Sequence, residues 1–201
     1  MPKTFSEGER VYIKKRLMEE AQVCLTQFGM RKTSVDELVK RVNIPKGTFY
    51  LFYPSKELLF FEVFNTLQDQ IQTDLLYRLD ELRSNINVDT ITDVIFQLYK
   101  WVDSTFIYSF LSSGELELLV RKLPLEVVKA HTQKDDFNME RLLSLLPGKH
   151  TESTIKIFSA ALRAIFCTMS HKREIDEDVF DETIRIMLRG VIIQFFEGGT
   201  I

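Results

Sequence analysis

The chain has 201 residues, of which 45% are hydrophobic and 27% are charged, the balance of an ordinary globular protein rather than a disordered one. No apolar run approaches the roughly 20 residues that a membrane-spanning helix needs, and the N-terminal residues lack the apolar stretch of a signal peptide. The composition therefore predicts a cytoplasmic protein without a membrane partner.

The net charge of −3 is distributed unevenly along the chain. Residues 1–56 hold eleven Lys and Arg against six Asp and Glu, whereas the remaining residues hold fifteen against twenty-three. A basic segment suits a polyanionic partner such as nucleic acid, and an acidic segment does not. Only the N-terminal quarter of the chain thus favours DNA binding.

Residues that commonly bind metals or form disulfides lack the spacing of a site. Cys24 and Cys167 each lie among apolar residues of a helical pattern, which predicts buried and reduced thiols. His131, His150 and His171 are about twenty residues apart, unlike the ligands of a structural metal. We expect neither a metal nor a cofactor.

Apolar residues recur at helical spacing, and most Gly and Pro residues fall where one period ends and another begins. No alternating strand pattern with hairpin turns is found, and no repeat. The chain is therefore predicted to be all-α. The periods predict about nine helices, at residues 6–28, 34–42, 45–52, 55–82, 89–112, 115–122, 125–146, 151–172 and 176–197.

The first three predicted helices occupy the basic segment. Gly29 is expected to end the first helix as a C-cap glycine. Ser34 is expected to cap the second, with Glu37 returning the hydrogen bond in a capping box. Pro45 fits the first turn of the third, where its missing N–H is not needed. The second and third helices have the length of a helix-turn-helix that presents its second helix to the major groove of DNA.

The third predicted helix has two different sides. Phe49 and Phe52 share the inward side, whereas Lys46 and Tyr50, four residues apart, share the outward side. Gly47 between them permits a close approach of the backbone to a phosphate. The outward side is predicted to donate hydrogen bonds to phosphates or base edges. The alternative is a helical hairpin whose lysine and tyrosine are only solvated.

The segment TSVDELVKRVNIPKGTFYLFYPSKELL resembles the N-terminal signature of the TetR family of bacterial transcriptional regulators. The similarity covers roughly residues 10–62 and is most specific at K-G-T-F-Y, the following aromatic pair and S-K-E. It implies a three-helix DNA-binding domain, residues 1–54, and a larger helical ligand-binding and dimerisation domain, residues 55–201. Carried over by residue, it assigns DNA contacts to Thr33 or Ser34, Lys46, Gly47, Thr48, Tyr50 and Lys56.

One position departs from the family pattern. The family commonly has Tyr or His followed by Phe where this chain has Phe52 and then Tyr53. The phosphate contact that is often made from the first of these positions is therefore absent. The sequence leaves open whether Tyr53 replaces it.

The last two predicted helices carry broad apolar stripes. The resemblance implies that these helices from two subunits form a four-helix dimer interface, and a helix-turn-helix that reads a palindrome requires such a two-fold partner. Purely internal packing is the alternative. The residues assigned to the interface are Phe158, Ala161, Leu162, Ile165, Ile184, Leu188, Val191 and Phe195.

Aromatic residues are frequent between the basic segment and the last two helices. Such rings could line a pocket for an apolar or aromatic ligand, with tyrosine hydroxyls as hydrogen-bonding groups, and for each ring alone an ordinary core position is the alternative. The residues assigned to the pocket are Phe64, Phe96, Tyr99, Phe106, Tyr108, Phe110 and Phe137.

These features together predict a ligand-responsive transcriptional regulator, by the family's usual mode a repressor. It would bind a palindromic double-stranded operator as a homodimer and be released by a small apolar or aromatic molecule. The main alternative is a helical cytoplasmic scaffold that binds proteins, which would leave the uneven charge unexplained. No nucleophile triad, carboxylate pair or phosphate-binding glycine loop indicates an enzyme. The operator sequence and the effector do not follow from the sequence.

Overall fold

The computed structural model describes residues 5–82, 85–131, 146 and 151–197, and its regular secondary structure there is entirely helical. A 3₁₀ helix covers Thr168–His171, and residues 125–131 are also helical. The predicted all-α fold class is confirmed. The α-helices are α1 (Glu7–Lys32), α2 (Val35–Val42), α3 (Lys46–Phe49), α4 (Lys56–Glu81), α5 (Val88–Asp103), α6 (Phe106–Ser112), α7 (Glu115–Lys122), α8 (Glu152–Cys167), α9 (Lys172–Ile175) and α10 (Phe180–Phe196).

The chain forms two compact units. The first unit comprises Met1–Gln68 and Ser113–Leu123, and the second comprises Asp69–Ser112 and Pro124–Ile201. Helix α7 therefore belongs to the same unit as the helix-turn-helix. The domain boundary predicted after residue 54 stays a prediction about function, because compactness does not decide which residues bind DNA and which bind a ligand.

The core of the first unit is built from the apolar sides of its helices. Leu17 of α1, Leu38 of α2, Phe49 of α3 and Phe60 of α4 are all fully buried. Burying each such side chain stabilises the fold by about 1.5–3 kcal/mol. The predicted inward side of α3 is thus found in place, with Phe49 as its anchor.

The second unit is centred on the packing of α5 against α10. Ile91 of α5 and Ile184 of α10 are fully buried, and the rings of Phe158 on α8 and Phe195 on α10 meet edge to face with centroids 4.7 Å apart. Three ion pairs run along the seam between α5 and α10, with residue numbers rising on one helix as they fall on the other, as antiparallel helices require. These pairs are Lys100 with Asp181, Asp93 with Arg185, and Asp89 with Arg189.

The helix predicted over residues 89–112 is two helices. Helix α5 ends at Asp103 because the Ser104 hydroxyl donates to the carbonyl of Trp101 (2.6 Å) and the Thr105 hydroxyl donates to that of Val102 (2.7 Å). Hydroxyl groups that bond nearby carbonyls compete with the helical ladder. In the sequence, the only sign of this break is two short polar residues within an apolar period. The prediction of a single helix was therefore wrong.

The last two predicted helices also differ in their bounds. Helix α8 ends at Cys167 and is followed by the 3₁₀ helix and the short α9, and α10 begins only at Phe180. Asp176 has a φ of 152°, which a helix cannot contain. Cys24 is buried as predicted, but Cys167 is exposed because it lies on the solvent side of α8. Most of the helix predicted over residues 125–146 lies outside the described residues.

Among the described helices, none is both long and apolar enough to cross a bilayer.

Candidate nucleic-acid interface

Residues 29–34, which include the end of α1, form the connection to α2, and this connection begins with a break at Gly29. This residue has φ 74° and ψ 175°, yet α1 resumes after it and continues to Lys32. The predicted break at Gly29 is therefore found, and a second helical stretch follows it to Lys32. The carboxylate of Glu115 accepts hydrogen bonds from Met30 N (2.7 Å) and Arg31 N (3.3 Å). These bonds satisfy donors at the start of a helical turn, as a capping side chain would.

Lys56, at the start of α4, contacts the same connection. Its ammonium donates to the carbonyl of Thr33 at 2.6 Å and to that of Met30 at 3.1 Å. Burial lowers the pKa of the Lys56 ammonium. Two of its three N–H donors are thus used inside the protein, and one is left for the DNA contact that the resemblance assigns to Lys56.

Ser34 caps α2, as predicted, since its hydroxyl accepts from Glu37 N at 3.1 Å. The return bond of the predicted capping box is not formed. The Glu37 carboxylate instead accepts from Arg41 Nε at 2.6 Å. A charge-assisted bond to an arginine one turn along the helix outcompetes a bond to a neutral backbone N–H.

The turn between α2 and α3 is closed by a left-handed residue. Asn43 has φ 58° and ψ 49°, and Ile44 N donates to the carbonyl of Val39 at 3.0 Å. Asparagine is one of the few residues that adopt this conformation readily. Pro45 is the N-cap of α3 rather than its first helical residue, which corrects its predicted place by one position.

Helix α3 is shorter than predicted. It ends at Phe49, and the chain continues through Tyr50 in a tight turn in which Leu51 N donates to the carbonyl of Thr48. Phe52 N likewise donates to the carbonyl of Phe49 at 3.0 Å. Bonds of this i to i+3 type extend the helical path in 3₁₀ form, so the segment still turns as a helix while its α-helical part is brief.

The outward side of α3 consists of Lys46, Gly47 and Tyr50. Lys46 and Gly47 are exposed, and half of Tyr50 is exposed. A Cβ atom placed on Gly47 would meet no other atom within 4 Å, so the backbone there is open to a partner. Lys46 Nζ forms an ion pair with Asp36 of α2 at 2.9 Å. The structure therefore brings these three predicted contacts together on one surface.

Two of the other predicted contacts face inward. Thr33 is 1% exposed, and its hydroxyl donates to the carbonyl of Gly29 at 2.8 Å. Thr48 is 7% exposed. Of the pair Thr33 or Ser34, it is Ser34 that reaches the surface. The helical spacing of the sequence could have identified Thr48 as inward, because it lies four residues before Phe52, which was assigned to the inward side.

Phe52 and Tyr53 lie against α1. The Phe52 ring is contacted by the guanidinium of Arg10 at 5.2 Å. Tyr53 is 4% exposed, its hydroxyl is buried, and the ammonium of Lys14 lies 5.9 Å from its ring centre. Burial, with a smaller contribution from the Glu62 carboxylate, raises the pKa of Tyr53. The Tyr53 hydroxyl is thus buried and absent from the outward surface.

The residues predicted to line a ligand pocket are mostly core residues. Phe64, Phe96, Tyr99, Phe106 and Phe110 are each buried. Tyr108 is half-buried, and Phe137 lies outside the described residues. A surface cavity of about 670 Å³ is found elsewhere in the second unit, between the C-terminal part of α4 and α5. It is lined by Gln70, Asp74, Arg78, Gln97, Lys100 and Trp101.

The residues predicted for the dimer interface fall into two groups. Phe158, Ile165, Ile184, Leu188 and Phe195 are buried inside the chain itself, whereas Ala161, Leu162 and Val191 are partly exposed. A neighbouring row of residues on α8 and α10 is exposed instead. This row, which we call the α8/α10 face, consists of Ile157, Ala160, Ala164, Ile186, Met187 and Gly190.

Comparison with known proteins links the helix-turn-helix to one family. Residues 17–63 match the family described as bacterial regulatory proteins, tetR family. Over 59 residues the chain is 42% identical to the uncharacterized HTH-type transcriptional regulator YhgD of Bacillus subtilis (strain 168). This match covers 29% of the chain and 31% of YhgD. The chain thus spans about a third of the length of this curated relative.

Solved structures extend the likeness to the whole fold. A putative TetR-family transcriptional regulator from Mesorhizobium loti MAFF303099 matches with a TM-score of 0.61 and 13% identity, over 94% of this chain and 96% of that one. RolR, solved in complex with resorcinol, matches with a TM-score of 0.53 and 16% identity, over 97% and 96%. At these identities the likeness is one of fold. The helix-turn-helix segment therefore matches the TetR family by sequence, and the chain as a whole is similar in fold to solved structures described as TetR-family regulators.

Proposed function

We propose that the protein is a transcriptional regulator, a repressor that binds a palindromic operator as a homodimer and leaves it when a small molecule binds. The observation that carries the proposal is the outward side of α3. Lys46, Gly47 and Tyr50 are exposed together at the second helix of a helix-turn-helix, whereas Phe49 of the same helix is buried.

The outward side of α3 has the chemistry that DNA recognition needs. Lys46 supplies a positive charge for a phosphate, and the Tyr50 hydroxyl can donate to a phosphate or a base edge. The open backbone at Gly47 lets a phosphate come close without meeting a side chain. Because the surrounding segment is basic, the affinity for DNA should fall steeply with added salt.

The α8/α10 face supports the proposed homodimer. Ile186 is 72% exposed and Met187 is 38% exposed, so both apolar side chains are available for burial against a partner. Ala160, Ala164 and Gly190 are small enough for a second pair of helices to approach closely. A two-fold pair of subunits presents two α3 helices to two half-sites, which is the geometry that a palindrome requires. The buried residues that the sequence assigned to the interface would pack beneath this face.

The proposed effector is a small aromatic molecule with hydrogen-bonding groups. The cavity between α4 and α5 offers Trp101 for stacking, together with Gln97 and Lys100 for polar contacts. RolR, a relative by fold, was solved with resorcinol, which is a molecule of this kind. Trp101 is the only tryptophan of the chain, so its fluorescence reports directly on occupation of this cavity during a screen. The aromatic pocket predicted from the sequence would require its buried rings to move apart.

Selection of DNA from a random duplex library tests the proposal. The enriched site would then be measured by fluorescence anisotropy at several salt concentrations, with Tyr50→Ala and the matched control Tyr77→Ala, whose tyrosine is also exposed but lies on α4. A two-fold symmetric site, bound tightly by the control and weakly by Tyr50→Ala, is the expected result. No enrichment, with weak binding unaffected by either change, would favour the protein-binding scaffold instead.

A further inference from the structure

A buried carboxylate from α7 holds the connection between α1 and α2. Glu115 is 8% exposed, and its two oxygens accept from the backbone N–H groups of Met30 and Arg31. Both groups follow the break at Gly29, where the helical hydrogen-bond pattern is interrupted. A buried carboxylate must be hydrogen-bonded to be tolerated, and bonds from backbone N–H to a charged acceptor are stronger than neutral ones.

A half-buried ammonium also holds this connection. Lys56 donates to the carbonyls of Met30 and Thr33. The residues between Gly29 and Ser34 are therefore fixed by two hydrogen bonds to Glu115 of α7 and two from Lys56 of α4. All four hydrogen bonds end on backbone atoms, so they set the path of the chain rather than the packing of its side chains. That path decides the direction in which α2 leaves α1.

The glycine at the break fits this arrangement. A Cβ atom on Gly29 would lie 2.9 Å from Oε2 and 3.0 Å from Oε1 of Glu115, closer than real Cβ atoms come to other atoms. The left-handed φ of 74° also disfavours any other residue. The close approach of the Glu115 carboxylate and the shape of the backbone at Gly29 thus depend on each other.

Helix α7 is also held at its other end. Lys122 Nζ forms an ion pair with Glu57 of α4 at 3.1 Å, so both ends of α7 are attached to elements of the helix-turn-helix unit. In the sequence, Ser113–Leu123 is flanked on both sides by segments of the second unit. The residue that fixes the entry to α2 is therefore supplied by a segment some 85 residues away, and no local pattern specifies it.

We propose that Glu115 is a positioning residue for operator recognition. By holding Met30 and Arg31 it fixes the entry to α2, and thereby the placement of the helix-turn-helix residues Ser34, Lys46 and Tyr50 relative to α1 and to Lys56. The inference rests on the proposed DNA-binding function. Removing the carboxylate leaves the phosphate-binding charges in place but loosens their placement, so operator binding weakens while binding to unrelated duplex DNA is kept.

The test compares Glu115→Gln with Glu117→Gln, a matched control on the same helix whose carboxylate is 79% exposed. For each full-length protein, anisotropy gives the affinity for the selected operator and for an unrelated duplex, and hydrogen exchange follows the amides of Met30 and Arg31. We expect Glu115→Gln to lower the ratio of the two affinities about tenfold, which corresponds to losing one strong contact, and to speed exchange at both amides. The control should match the wild type in both readouts.

An unchanged affinity ratio in Glu115→Gln, on an operator that the wild type selects, would overturn the inference and leave the proposed function standing. A wild type that selects no DNA would overturn both. If Glu115→Gln does not fold, Glu115→Asp is tested instead, because it keeps the negative charge on a side chain that is shorter by one methylene group. An affinity ratio below that of the wild type is then expected, and an equal ratio would again overturn the inference.

Discussion

Lys46 on α3 and Asp36 on α2 form an ion pair of 2.9 Å across the helix-turn-helix. Both side chains are largely exposed, and the hydrogen bond to Asp36 raises the pKa of Lys46. Lys46 is thus charged, and its ammonium is already paired with Asp36 in the absence of DNA. A phosphate that binds Lys46 has to compete with the Asp36 carboxylate, which places a negative charge on the surface proposed to face DNA.

Replacing Lys46 and replacing Asp36 should therefore change the affinity for DNA in opposite directions. Lys46→Met is expected to weaken binding about equally for all sequences and to reduce the salt slope by about 1, since one phosphate contact is lost. Asp36→Asn is expected to strengthen binding about twofold to fivefold at low salt, because a repulsive charge is removed. Both are measured by anisotropy over a series of salt concentrations.

Glu177→Gln is the control for Asp36→Asn, because it removes an exposed carboxylate of the second unit and changes the net charge equally. If Glu177→Gln strengthened binding as much as Asp36→Asn, the effect would reflect total charge and not the ion pair with Lys46.

Replacing Gly29 should destabilise the fold. Gly29→Ala puts a Cβ against the Glu115 carboxylate and forces a non-glycine residue to adopt a left-handed φ, which alone costs about 1–2 kcal/mol. Gly8→Ala is the control, since its Cβ would meet nothing within 4 Å and alanine favours a helix by about 0.5–1 kcal/mol. Urea unfolding should move in opposite directions for the two variants. Equal stability for both would mean that the contact with Glu115 relaxes freely.

The sequence predicted the local features of the helix-turn-helix well. Ser34 as a cap follows from its position before an apolar period, and Phe49 as an anchor follows from helical spacing. The return bond from Glu37 was predicted wrongly because Arg41, one turn away, offered a stronger partner. Capping patterns identify which residues can bond, whereas the choice among charged partners depends on where their side chains lie.

Contacts between distant residues could not be read from the sequence. Glu115 is an ordinary first-turn glutamate in α7, and nothing near it in the chain indicates that it binds Met30. Lys56 looked like a surface lysine at the start of a helix, although it binds two carbonyls of the first unit. In α10 the helical period placed Ile184 and Leu188 on one apolar side, but it could not show whether that side meets the core of the same chain, where both are buried, or a second subunit.

Tyr53 should make the fold sensitive to alkaline pH. Its pKa is raised above the ordinary value of 10.0, chiefly by burial, so above about pH 10 the unfolded chain loses a proton that the folded chain keeps. The unfolded state then binds fewer protons, and the free energy of unfolding falls as the pH rises. The decline contributed by one such group approaches 1.36 kcal/mol per pH unit.

Urea unfolding at pH 8 to 11 measures this decline. Tyr53→Phe should lose less stability than the wild type between pH 10 and 11, by about 1 kcal/mol. Tyr50→Phe, which removes a half-exposed hydroxyl, should decline as the wild type does. Parallel declines for the wild type and Tyr53→Phe would show that the Tyr53 hydroxyl reaches water in the folded state. Tyr99, whose pKa burial also raises, accounts for part of the decline that Tyr53→Phe retains.

The α8/α10 face should control the oligomeric state. Ile186 is 72% exposed in the single chain, and burying an isoleucine against a partner stabilises an interface by about 1.5–3 kcal/mol. In a two-fold interface the same residue of both subunits is buried, so its contribution to the free energy of association is doubled. Ile186→Glu should therefore raise the dimer dissociation constant by about 10² to 10⁴. Sedimentation velocity over a range of concentrations measures this constant. Leu125→Glu is the control, because Leu125 is 65% exposed on a different helical stretch and its replacement should leave the wild-type assembly intact.

Operator affinity should fall in parallel with dimer loss, since a monomer contacts one half-site only. An Ile186→Glu protein that stays dimeric would place the partner's contact on another face of the chain.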